Sequence, residues 1–140
     1  MKKLLSLFLL IAILLLSACS AQQPKSTVIE GAQRDKVLAY ADPIADNLLT
    51  GMANNDYAAF SKDFNQKMKD AMGPDSLQKL RDQLDPRIGQ YQSRQAEQVL
   101  DYGDLVTVTY NGVFEKAKNV KILLTFTKAE PHQVAGLYFQ

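Results

Sequence analysis

The sequence predicts an α+β domain in which three N-terminal helices pack on a curved four-stranded antiparallel sheet. Two changes of rhythm carry this reading. As far as Leu84, apolar residues recur at three- and four-residue intervals, the period of a helix with one buried stripe. From Tyr91 onward the period becomes two, as in strands that bury alternate side chains. Helices that all precede the strands favour α+β over an alternating α/β arrangement. The chain has 140 residues, 46% of them hydrophobic, which suits one domain with a modest core.

Val37, Tyr40, Ala41, Ile44, Leu48 and Met52 build one face of a first helix. Asp42-Pro43 interrupts it, because proline has no amide hydrogen and crowds the preceding turn. Either the helix kinks there, or Asp42 caps a fresh helix with Pro43 at its first position. Asn54-Asn55-Asp56 reads as a turn, with Asp56 placed to cap the next helix. Tyr57, Phe60, Phe64, Met68 and Met72 line that second helix, with Lys62, Asp63, Gln66 and Lys67 on other faces. Such a stripe also suits a docking or membrane-surface helix, but in a small domain it belongs to the core. Gly73-Pro74 ends it. Leu77, Leu80 and Leu84 mark a third helix that begins near Asp75 or Ser76 and stops at Asp85-Pro86.

Tyr91 to Asp101 is a polar strand pattern suited to an edge. Tyr102-Gly103-Asp104 is a tight turn. Along Leu105 to Phe114, Val106, Val108 and Tyr110 alternate with Thr107, Thr109 and Asn111. After the Glu115 to Lys118 turn, Val120, Ile122, Leu124 and Phe126 alternate with Lys121, Leu123, Thr125 and Thr127. Glu130-Pro131-His132 turns again, and Val134 to Phe139 closes the sheet.

The N-terminal stretch carries a different message. Met1-Lys2-Lys3 is followed by an apolar run from Leu4 to Leu16, broken only by Ser6, and then by small residues. This is the layout of an exported signal, and the run is shorter than the roughly 20 residues of a membrane-spanning helix. Leu16-Ser17-Ala18-Cys19 resembles the lipobox of bacterial lipoproteins. The resemblance implies cleavage after residue 18, with a covalent diacylglycerol and an N-acyl lipid such as palmitate on Cys19. One acyl chain gives only marginal membrane binding, whereas two or three hold firmly. Residues 1–18 are therefore expected to be signal peptide, 19–29 a lipidated cysteine with a flexible tether, and 30–140 a single domain. The expected location is extracytoplasmic, on the outer leaflet of the cytoplasmic membrane or on an outer membrane.

Composition narrows the function classes. Without Lys2 and Lys3 of the signal, the sixteen basic residues fall to fourteen against fifteen acidic, leaving no basic excess for nucleic acid or anionic lipid, so no nucleic-acid partner is expected. Cys19 is the only cysteine, which excludes an internal disulfide and suits a bacterial envelope. His132 is the only histidine and lies in a turn, without the partners of a triad or a metal site. Ser61, Ser76 and Ser93 lack a nucleophile elbow, and the glycines form no phosphate loop. No catalytic residue, metal ligand or dissociable cofactor is assigned. Tyr91, Tyr102, Tyr110 and Tyr138 cluster in the strand region. They suit half-buried strands generally, and they are the candidate lining of a pocket.

Asn55 to Phe64 with Met68-Lys69, then Leu77 to Leu84, Gly89-Gln90-Tyr91-Gln92-Ser93 and Val134-Ala135-Gly136-Leu137 resemble the domain of unknown function 3887 family across Val37 to Phe139. The resemblance implies the cone-shaped α+β fold of nuclear transport factor 2 and ketosteroid isomerase, which often holds a pocket between helices and sheet. Three functions are expected in consequence. The first is a non-catalytic envelope domain that binds a small apolar or peptide-like ligand or an envelope protein. The second is an isomerase- or dehydratase-like enzyme, with an acid among Asp42, Asp46, Glu97 and Asp101 buried beside a tyrosine. The third is a structural module that forms a homodimer through the open sheet face.

Overall fold

The computed structural model describes residues 25–140. The signal segment and Cys19 lie outside the described residues. The elements run β1 (Thr27–Val28), α1 (Gly31–Ala53), α2 (Tyr57–Ser61), α3 (Gln66–Ala71), α4 (Pro74–Ile88), β2 (Tyr91–Asp101), β3 (Leu105–Phe114), β4 (Lys118–Thr127) and β5 (Val134–Phe139). The five strands form one antiparallel sheet in the order β1-β2-β3-β4-β5. The fold is α+β, but with four helices and five strands among the described residues. This corrects the expected three helices on a four-stranded cone.

Each difference has a local cause. The fifth strand comes from Thr27 and Val28, which pair with Asp101 and Leu100 at the end of β2. Their polar, proline-flanked neighbourhood reads as tether, and two residues are too few to show a period. The extra helix arises because the Tyr57–Met72 stripe is not one helix. At Asp63–Asn65 the backbone leaves the helix to meet β5: Val134 donates to the Asp63 carbonyl at 2.7 Å, and Asn65 donates to the Val134 carbonyl at 2.9 Å. The Asn65 side chain then accepts from Met68 N at 2.9 Å and caps α3. Phe60 and Phe64 still pack edge to face, 5.0 Å between ring centroids, and both are fully buried.

Both prolines are carried inside helices rather than ending them. Pro43 lies within α1 and Pro86 within α4. Both sit on exposed faces, as do Ala39 and Asp82 four residues earlier. The carbonyl deprived of its donor in each case is on the solvent side, where water can take the missing bond. Gly73 caps α4, with Pro74 at the first turn. Gly89, at φ 75°, ends it in the left-handed region that glycine tolerates.

The inner face of the sheet is the core. Val99, Val106, Val108, Tyr110, Phe114, Ile122, Leu124 and Phe126 are buried there, against Ala41, Ala45, Leu48, Leu49 and Met52 of α1 and against Phe60, Phe64 and Leu77. The small residues of α1 allow close approach, closest at Gly51. A Cβ at that position would press into the Phe60 backbone nitrogen and lie 2.9 Å from Phe60 Cα. Because that neighbour is backbone, Gly51→Ala is expected to cost about 3 kcal/mol by forcing α1 and α2 apart. Urea unfolding checks this; Thr50→Ala, at the adjacent exposed position, is expected to change stability by less than about 0.5 kcal/mol.

Candidate functional site

Two arrangements of side chains stand out: an ion-pair clamp on the inner face and a groove on the outer one. The clamp centres on Arg94 of β2. Register places Arg94 opposite Gly112 on the inner face, where its side chain is only 8% exposed. Its guanidinium donates to Asp42 Oδ1 at 3.0 Å, to Asp46 Oδ1 at 2.9 Å and to the Asp42 carbonyl at 2.7 Å. It also lies over the Tyr110 ring, 4.5 Å from the centroid, an arrangement favourable for a cation. Tyr110 donates its hydroxyl to the same Asp42 oxygen at 3.0 Å. Asp42 and Asp46 are one turn apart on α1, so one planar guanidinium reaches both.

The electrostatics follow from this packing. Burial would lower the affinity of Arg94 for its proton, but the Asp46 hydrogen bond, Tyr110 and the two carboxylates outweigh it, and the net shift is upward. Tyr110 is driven well above the ordinary tyrosine range, first by burial and then by the Asp42 charge. Tyr91 and Tyr40 are raised for the same first reason. Asp101 shifts downward because Lys128 and the Gly103 amide hydrogen-bond to its carboxylate.

The clamp is where the structure comes nearest to the enzyme-like expectation, since Asp42 does meet a tyrosine. The side chains of Asp42, Asp46, Glu97 and Asp101 are, however, 39%, 62%, 50% and 30% exposed. None is the buried acid that an isomerase-type reaction requires. Asp42 is already engaged by Arg94 and Tyr110 together. The group ties α1 to the sheet.

The groove lies on the opposite side. Pairing assigns three cross-strand rows to the outer face: Leu105 and Thr127; Val28, Leu100, Thr107, Thr125 and Gly136; then Gln98, Thr109, Leu123 and Tyr138. No residue in these rows carries a charge. Thr107 and Thr125 hydrogen-bond to each other at 2.8 Å. A groove of about 560 Å³ crosses this face from Val28 and Ile29, past Thr109 and Leu123, to Gln140. Its rim holds the Glu97–Lys121 ion pair, Glu30 and Arg34. Arg34 donates to the Ala96 carbonyl at 3.2 Å. Glu97 reaches the rim because a bulge between Ala96 and Gln98 inserts it as an extra residue. A smaller cleft of about 270 Å³ lies between α4 and β5, lined by Leu80, Leu84, Leu137 and Phe139.

The four candidate tyrosines do not converge. Tyr110 is buried in the clamp, and Tyr91 packs edge to face on Phe114. Tyr102 lies in the β2–β3 turn, and Tyr138 projects from the outer face beside the α4–β5 cleft. His132 lies in the β4–β5 turn as expected, but its ring stacks on Tyr40 with 3.8 Å between centroids. Among the described residues no group of three His, Cys, Asp or Glu is placed to hold a metal ion. No described helix is long and apolar enough to cross a membrane. Sequence reasoning missed Arg94, which looks like one more polar residue of a solvent-facing strand. The available signal was the Asp42–Asp46 spacing next to an apolar helical stripe.

The raised tyrosines give a pH dependence with a definite sign. Above about pH 10 the unfolded chain loses tyrosine protons that the folded chain keeps, so stability falls as pH rises. Tyr110→Phe removes the most strongly shifted of these groups. It is expected to cost about 1.5 kcal/mol at neutral pH through the lost hydrogen bond, and to flatten the alkaline fall. Urea unfolding of both proteins at neutral pH and at about pH 11 checks this; parallel curves would contradict it.

Among curated proteins and among solved structures, none matches this chain. A family profile described as protein of unknown function (DUF3887) matches residues 45–137, from the second half of α1 through most of β5. That span is well over half of the chain and includes Asp46, Arg94 and Tyr110. The chain belongs to the DUF3887 family.

Proposed function

We propose that this protein is an extracytoplasmic lipoprotein, lipidated at Cys19 and held at a bacterial membrane, whose folded domain is a non-catalytic binding module. The partner is an extended peptide-like segment of an envelope protein, received on the outer face of the sheet. The observation that carries this is the groove past Thr109 and Leu123, whose four charged lining residues, Glu30, Arg34, Glu97 and Lys121, balance in sign, with Glu97 and Lys121 paired to each other. A mixed surface, with Val28, Ile29 and Leu123 beside Thr109, Gln98 and Gln140, suits a polypeptide backbone, which needs both desolvation and hydrogen-bond partners. The inner face has no comparable role, because its side chains form the core. The basic-apolar-small order up to Cys19 supports the anchor.

A homodimer formed through the same face is the second reading, favoured by the same uncharged rows. The eleven residues of these three rows cover roughly 360 Å² at ordinary strand spacings, about half of what each partner gives a standard interface. That area favours a segment over a second whole domain.

Labelled palmitate incorporation and in-cell photocrosslinking test both halves. Cys19→Ser is expected to abolish the label and release the protein from the membrane fraction. A photoreactive residue at Thr109 is expected to give a discrete crosslinked species, weakened several-fold by Leu123→Arg, whereas the same probe at Asp82 on α4 gives none. A crosslink of monomer to monomer would favour the dimer. Equal crosslinking from both positions would remove the groove from consideration.

A further inference from the structure

The sheet has two ends, and the tether joins only one of them. β1 begins at Thr27, paired with Asp101, so the chain from Cys19 arrives where β2 turns into β3 and β4 turns into β5. Three large apolar residues are notably exposed among those described: Val28, Leu105 and Tyr138. Two of them, Val28 at 50% and Leu105 at 37%, are at this end. Both are on the outer face, in adjacent rows. Tyr102, half-buried in the turn that Leu105 closes, has its backbone held by the Leu105 carbonyl at 2.8 Å.

We infer that this end of the sheet is a lipid-contacting surface, with Val28, Tyr102 and Leu105 seated in the membrane interface. The inference rests on the lipid anchor at Cys19. Eight residue steps separate Cys19 from Thr27, so a lipidated Cys19 holds this corner within about 28 Å of the bilayer in any conformation of the tether. An apolar corner confined so near a bilayer loses little further freedom on touching it, because the anchor has already supplied most of the entropy of association. Tyrosine is favoured at such an interface, with its ring among the acyl ends and its hydroxyl among headgroups. The charged groups around this end include Lys25, Asp101, Asp104, Lys128 and Glu130, with Lys62 and Asp63 beside Val134, and Asp101 and Lys128 are paired to each other. They give no basic excess, so the contact is apolar and independent of anionic lipid. Seated this way, the sheet stands on its tethered end, with the Val28 end of the groove at the headgroups and its stretch past Thr109 and Leu123 to Gln140 facing sideways above them.

The chain has no tryptophan, so single tryptophans report depth without background. The full lipidated chain carrying Leu105→Trp, Tyr138→Trp or Lys118→Trp is reconstituted in vesicles of phosphatidylethanolamine with a minority of phosphatidylglycerol and brominated acyl chains. Lys118 is at the far end, roughly 27 Å from Leu105 along the strands. Leu105→Trp is expected to be blue-shifted and quenched at least threefold more than either other variant, with the same result when phosphatidylglycerol is omitted. Absence of quenching at all three positions in protein that floats with the vesicles would overturn the seating while leaving the anchor intact. Equal quenching at Tyr138→Trp would mean that the whole face lies on lipid, which also overturns it. Failure of the full chain to float would remove the anchor and the seating together. Urea unfolding of each variant confirms that the fold is retained.

Discussion

A β-sheet has two faces, and in this domain the centre of one of them is committed to the core. Along β3 and β4 the alternation sends Val106, Val108, Tyr110, Ile122, Leu124 and Phe126 to the same side, each with no exposed surface. Everything else adjusts to that constraint. α1 must lie across these residues, which demands Ala41, Ala45 and Gly51 at its closest approach. α2 and α3 must fold back so that Phe60 and Phe64 fill the space beside it, and the chain breaks its helix at Asp63–Asn65 to do so. Any binding role is then left to the outer face, the sheet edges, the turns or the small cleft between α4 and β5.

Arg94 shows how polar chemistry is fitted into this scheme. A guanidinium on the inner face is tolerable only because Asp42, Asp46, the Asp42 carbonyl and the Tyr110 ring surround it. The same contacts hold α1 at the residue just before Pro43, where a missing amide would otherwise let the helix swing. Clamp and proline are therefore complementary: Pro43 is on the solvent side of α1, and the charge network fixes the side that meets the sheet. Breaking one partner would expose the others to an environment chosen for the complete set.

Much of this was legible in the residues. The period-two stretches became β3, β4 and β5 within a residue or two, and the faces of β3 and β4 follow their alternation. Tyr57, Phe60, Phe64, Met68 and Met72 are all core or core-packed, although Tyr57 and Phe60 lie in α2, Met68 in α3, and Phe64 in the break between them, with Met72 capping α3. The break was hidden because its cause, the pairing of Asp63 and Asn65 with Val134, lies about seventy residues away in sequence. β1 was hidden by its length. Pro86 misled, and Pro43 left a continuous helix and a fresh one both open, because a proline rule says nothing about which side of a helix faces water. At the site level, four tyrosines near one another in sequence are spread over both faces and a turn. The uncharged outer rows were readable from Thr107, Thr109, Leu123, Thr125 and Thr127, whose small polar character also suits plain solvent exposure.

The proposed role turns on one property: the outer face of the sheet is covered by a partner in the envelope while the helical side remains free. Cys19 is the only cysteine and its thiol is consumed by the proposed lipidation, so an introduced thiol reports its own surroundings. Maleimide labelling of Thr109→Cys and of Lys67→Cys, an exposed position on α3, is compared between intact envelopes and purified protein. Both are expected to label fully when purified, and in envelopes Thr109→Cys alone is expected to be protected at least fivefold. Equal labelling of the two positions in envelopes would contradict a covered outer face.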